Sequence, residues 1–205
     1  MKRFLNLALA LAMLLPLAAA AAEAPDQLIR RVSAEMIDRI KADAGLQSGD
    51  FAKMSELVDA TVMPHVDFQR MTALAVGRHW RVATPDQQKQ LMTEFRMLLL
   101  RTYSGALSAV KDQSIRMKPL RADPKDTDVI VRSEVVPQRG DAVQLDYRLN
   151  KQGEAWKIYD VNVLGVWLIE TYRNQFGQEV SAGGIDGLIR TLTDKNRAFA
   201  PARKS

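Results

Sequence analysis

The hydrophobic pattern changes its period once, near the middle of the chain. Over the first half, apolar residues recur every three to four positions, the repeat of amphipathic helices. Leu28, Ile29, Val32, Met36 and Ile40 fall within one helical arc that runs out near residues 44–45. Asp50 is placed to cap a second helix carrying Phe51, Met54, Leu57, Val58 and Val62, which Pro64 interrupts. A short third helix starts near Asp67, presents Phe68, Met71, Leu74 and Ala75, and stops at Gly77. The longest helix has the clearest start: Thr84 as cap, Pro85 at the first helical position and Gln87 closing a capping box. Its stripe is Leu91, Phe95, Leu98, Leu99, Thr102 and Ala106, with Leu100 on the opposite side as a surface residue or a second contact.

Beyond residue 113 the period falls to two, the alternation of half-buried strands. Ile115 and Met117 form one short run; Val129, Val131 and Val135 form a second. Val143, Leu145, Tyr147 and Leu149 alternate with Gln144, Asp146, Arg148 and Asn150, the cleanest strand in the chain. Trp156 and Ile158 open a fourth, whose inward phase shifts at Asp160 because Val161 and Val163 are out of step, as a β-bulge would produce. Gly140 and Gly153 separate neighbouring strands, which predicts antiparallel hairpins. Helical spacing returns over residues 166–176 and 185–195. Helices followed by a meander predict an α+β fold: an antiparallel sheet of about four strands covered on one face by several helices.

Composition and the first residues narrow the class. Lys2 and Arg3 precede an apolar run over residues 5–17, and Ala20, Ala21 and Ala22 then supply a small-residue cleavage site. This is the layout of a secretory signal peptide spanning 1–22 and cut near Ala22. The run is shorter than the roughly 20 apolar residues that span a bilayer, and no cysteine follows it for lipid attachment. The expected organisation is a single domain over 23–198 with a basic tail over 199–205. With no cysteine anywhere, stability must come from packing alone. The net charge of +5 loses two positive charges with the leader. That mild excess favours an acidic partner or an anionic lipid surface, and no nucleic-acid signature accompanies it.

Catalytic chemistry finds little support. A nucleophilic triad needs a positioned base, and only His65 and His79 are available, with no nucleophile elbow or phosphate-cradling glycine loop around them. His65 with Asp67 could form an acid/base pair, but at a helix start they read better as a surface histidine and a cap. Asp123, Asp126 and Asp128 lack the glycine and terminal glutamate of a calcium loop and read as a solvated turn. No metal ligand set, cofactor or catalytic residue is expected.

Two blocks carry a family resemblance. One holds Val62, Pro64, His65, Val66, Asp67, Phe68, Gly77, Trp80, Arg81, the run from Thr84 to Gln88, and Tyr103. The other holds Trp156, Lys157, Ile158, Tyr159, Asp160 and Val161, then Gly165 and Val166, then Tyr172, Arg173, Asn174, Gln175 and Phe176. In order and spacing the chain resembles the MlaC/toluene-tolerance family of periplasmic phospholipid carriers, from about Val32 to Lys195. The resemblance implies an NTF2-like cone enclosing an apolar lipid cavity, with phospholipid as cargo and no catalytic role. It also implies shuttling between an outer-membrane lipoprotein–porin complex and an inner-membrane MCE-domain/ABC transport complex, where ATP is hydrolysed, in maintenance of outer-membrane lipid asymmetry.

With that resemblance, the inward strand positions Val129, Val131, Val143, Leu145, Tyr147, Trp156, Ile158 and Val163 become the expected cavity wall. Phe95, Leu98, Leu99 and Tyr103 of the long helix would close over them. Trp167 stands where family members commonly carry a small polar residue, and is expected to narrow the cavity or its entrance. Arg81, Arg96, Arg132 and Arg148 are the candidates for headgroup or partner docking. The alternatives are an envelope scaffold protein whose core is filled and holds no lipid, and a small hydrolase on a related cone-shaped fold.

Overall fold

A computed structural model describes residues 23–199. The leader assigned to residues 1–22 and most of the basic tail lie outside the described residues. Within them, the first half is helical: α1 (Pro25–Ala42), α2 (Ala44–Gln47), α3 (Phe51–Thr61), α4 (Phe68–Val76) and α5 (Pro85–Ser108). The helix starts are those the sequence predicts. Asp50 accepts from the amides of Ala52 and Lys53, and Asp67 accepts from that of Arg70. Thr84 and Gln87 exchange both hydrogen bonds of a capping box. Gly77, at φ 66°, ends α4 in a conformation that disfavours a side chain.

The second half is an antiparallel meander of five strands rather than about four, in the order β1-β2-β3-β4-β5. They are β1 (Gln113–Met117), β2 (Asp128–Pro137), β3 (Val143–Gln152), β4 (Ala155–Val163) and β5 (Val166–Trp167). The fifth strand replaces the start expected for the last helix, because Leu164 and Gly165 both adopt positive φ and turn the chain back on β4. The helix then begins two residues later, as α6 (Leu168–Ala198). It is one helix bent at Gly184, whose φ of 68° interrupts it between the two segments the periodicity predicts.

The phase shift in β4 is a bulge. Arg148 pairs with Asp160 and Leu149 with Ile158, leaving Tyr159 as the extra residue. The bulge sits one position before Asp160 and sends the Tyr159 ring into a separate core.

Three packed clusters hold the fold. In the first, α1 lies on the apolar face of the sheet, with Leu28, Ile29 and Val32 against Val129, Val131, Leu149 and Ile158. The second joins α4, α5 and α6 to Tyr159; Phe95 is fully buried there, with the rings of Tyr172 and Phe176 at 4.9 and 5.1 Å in edge-on contact. The third packs the end of α1 with α2 and α3 against Leu100, which is the second contact on α5 that its position off the main stripe allows.

Candidate functional site

The strand register decides which side chains share a face. Val131, Tyr147 and Val161 stand side by side, as do Ser133, Leu145 and Val163 in the next row and Val135 with Val143 beyond it. At the end covered by α1, Val129, Val131, Leu149 and Ile158 are closed off from solvent. Val143, Leu145 and Val163, at the other end of the same face, are only half-buried. Among the described residues, these three belong to none of the packed clusters. The one polar position in their row, Ser133, is fully buried and donates its hydroxyl to the Leu145 carbonyl at 3.0 Å. That bond removes its cost to an apolar environment.

Tyr147 stands between the two ends, in the row of Val131 and Val161. Burial pushes the Tyr147 phenol up, and the hydroxyls of Ser133 and of Ser33 on α1 lie beside it. Tyr103, half-buried on α5, is also pushed up by burial, and it neighbours Tyr172 of α6. Tyr147 and Tyr103 are half-buried rings with an apolar body and a polar tip, whereas Tyr172 is buried in the helical core.

Of the expected wall residues, the strand positions Val129, Val131, Val143, Leu145, Tyr147, Ile158 and Val163 share this face, with Trp156 half-buried against the α1 cluster. Phe95, Leu98 and Leu99 are placed differently. They pack into the α4–α5–α6 core, because Tyr172 and Phe176 of α6 offer them an aromatic partner surface. Trp167 is also displaced: it pairs with Asn162, in the register of Asp146, on the face opposite Leu145. There its ring lies 3.9 Å beneath the guanidinium of Arg148.

That opposite face contains a polar joint which sequence reasoning missed. Asp160 is fully buried and accepts from Arg148 at 3.1 Å, from its neighbour Val161 at 2.9 Å, and from the Ile169 amide at 3.1 Å. Trp167 contributes no side-chain cap to α6, so Asp160 caps that helix from the sheet. Burial pushes its carboxyl up, while the Ile169 amide and Arg148 pull it back down. The signal in the sequence is the acid at a strand position followed by a glycine turn and a helix start.

The arginines divide in the same way. Arg148 is held by Asp160 and Trp167, and Arg96 by Asp59 and the Ser55 hydroxyl, so both serve internal ion pairs. Arg132 is exposed on the sheet opposite the apolar face, and Arg81 is exposed in the turn after α4. The tested acid/base pair is not assembled: Asp67 spends one oxygen on Arg70 and the other on Gln152. The His65 imidazole is pulled down by burial and by the nearby charges of Arg31 and Lys157. In the acidic turn, Asp123 accepts from the Lys125 amide, Asp126 from the Asp123 amide, and Asp128 from Tyr159 and Arg70. Among the described residues no group of three His, Cys, Asp or Glu side chains is arranged to hold a metal ion, and no helix is long and apolar enough to cross a membrane.

Residues 30–194 match the sequence model of the MlaC protein family. The toluene tolerance protein ttg2D of Pseudomonas putida is 25% identical over 191 residues, covering 93% of this chain and 88% of that one. The intermembrane phospholipid transport system binding protein MlaC of Haemophilus influenzae is 25% identical over 179 residues, covering 85% and 83%. Among solved structures, the phospholipid-binding protein of Ralstonia solanacearum in complex with a phospholipid superposes with a TM-score of 0.83 at 43% identity, covering 89% of this chain and all of that one.

Proposed function

This chain belongs to the MlaC family, and from that premise we propose that it is a periplasmic carrier of phospholipid. The observation that carries the reading is the tier of half-buried apolar residues, Val143, Leu145 and Val163, on a face whose other end is fully packed. The Ralstonia relative, similar over its whole length, is a phospholipid complex. A diacyl phospholipid exposes on the order of 30 methylenes, each worth about 0.8 kcal/mol when removed from water. Spontaneous passage through an aqueous compartment is therefore negligible, and an apolar wall with no catalytic group is sufficient to overcome that barrier.

In this reading residues 1–22 direct export and are removed near Ala22, residues 23–198 form the lipid-binding domain, and 199–205 remain as a basic tail. The wall is formed by Val143, Leu145, Tyr147, Val161 and Val163, with Tyr103 at its margin. Cargo passes between an outer-membrane lipoprotein–porin complex and an inner-membrane MCE-domain/ABC complex, which supplies the ATP hydrolysis. The exported location and this handover rest on the family relationship.

Organic extraction of the purified protein followed by mass spectrometry tests the proposal. Near-stoichiometric phospholipid is the expected result. An extract free of lipid, together with an experimental structure filled by side chains throughout, would replace the carrier with the scaffold reading. Intact mass of the exported protein checks cleavage at Ala22.

A further inference from the structure

Apart from the apolar face, the molecule carries a cleft of about 770 Å³ where α4, the turn over Gly77–Val82 and α6 meet. Its floor is apolar: Leu74 and Trp80 both pack against the α4–α5–α6 core from this side. Its lining carries Arg78, His79, Arg81 and Arg173 and no acidic residue. Arg173 is fixed in place, donating from Nε to the Leu74 carbonyl at 2.9 Å. Among the described residues Arg78 donates only to its neighbour His79, at 3.4 Å, and pairs with no carboxylate. Two glycines keep the cleft open. A Cβ added at Gly77 or at Gly177 would meet nothing within 4 Å.

We infer that this cleft is a docking site for an acidic segment of a partner protein, one that places a large apolar side chain between carboxylates. The charge and the shape both enter the choice of occupant. Carboxylates match the planar guanidinium forks, while a phosphate alone would leave the Leu74 and Trp80 floor uncovered. A bilayer surface is too flat to reach that floor. An aromatic or aliphatic anchor in the cleft with charged groups around it is the arrangement that carries most of the binding energy in small interfaces. The inference deepens the carrier reading, since a carrier must be recognised where it delivers. Binding at the cleft is nevertheless measured separately from lipid.

A random peptide display library, panned on the purified protein, supplies the probe. Enriched peptides are expected to carry paired Glu or Asp around a Leu, Phe or Trp. Their affinity should fall about tenfold or more in the double variant Arg78→Gln with Arg81→Gln. Gly177→Leu should weaken them comparably by filling the cleft without changing its charge. Because leucine favours a helix over glycine, that variant should melt no lower than the parent. Absence of enrichment, enriched peptides lacking acids, or binding indifferent to both variants would overturn the assignment. So would arginine-dependent binding to phosphatidylglycerol/phosphatidylethanolamine vesicles in place of peptides, which would make the cleft a lipid contact. Bound lipid should be unchanged in every variant. A lipid-free parent that still selects acidic peptides would defeat the carrier reading and leave the docking site standing.

Discussion

The two ends of one sheet face differ in what covers them. Val129, Val131, Leu149 and Ile158 lie under α1 and are buried; Val143, Leu145 and Val163, on the same strands and in the same alternation, are half-buried and outside every packed cluster of the described residues. Strand pattern alone therefore specifies that a residue points inward, not whether it meets protein. At the first end a substitution should be read in stability. At the second it should be read in cargo.

The strongest way to break that distinction is a buried charge at each end. Val131→Asp places a carboxylate in a site that is 1% exposed, beneath α1, and should cost several kcal/mol. Denaturant unfolding should show a protein largely unfolded or close to it. Leu145→Asp should leave a cooperative fold and remove bound phospholipid. Equal stability losses from the two would erase the difference between the ends.

Truncation gives a smaller version of the same test. Leu149→Ala at the fully buried end should cost about 2–5 kcal/mol, whereas Val163→Ala should stay within roughly 1 kcal/mol because its surroundings are not closed. Chemical denaturation of both variants, with lipid content measured in parallel, separates the two roles.

Alkaline melting sharpens the comparison at the bulge, where Tyr159 leaves the sheet face for the helical core. Its hydroxyl donates to Asp128 at 2.8 Å, and burial first, then Asp128, pushes the phenol up to about 12. The unfolded chain ionises near pH 10 while the folded tyrosine keeps its proton. Stability due to this group is thus complete below about pH 10 and is lost as pH rises toward 12, by up to roughly 2–3 kcal/mol. Tyr159→Phe should flatten that decline. An unchanged alkaline melting profile would remove Tyr159 as its source.

The smallest effect serves as a control remote from both ends. Thr84→Ala removes one half of the capping box on α5, and should cost about 1 kcal/mol. Thermal melting should register the loss while mass spectrometry finds the lipid unaltered.

Several features are settled by neighbours in the chain and were legible there. Thr84, Pro85 and Gln87 fix the start of α5 because cap, first position and third position lie within one turn. The alternation of β3 fixes which of its side chains oppose Val129 and Val131, and the broken phase near Asp160 announces a bulge. Motif order over residues 62–176 also identified the family that residues 30–194 match.

Pairing between distant segments decided the rest. Phe95 belongs to the helical core because Tyr172 and Phe176 return from the far end of the chain to meet it. Trp167 turns away from Leu145 because β5 pairs with Asn162, and Asp160 becomes a helix cap because that same turn delivers the Ile169 amide to it. A local period records only which side of an element is apolar. Which apolar positions become closed core depends on what packs over them, as Leu28, Ile29 and Val32 of α1 do over Val129, Val131, Leu149 and Ile158, a long-range contact that no stretch of sequence contains by itself.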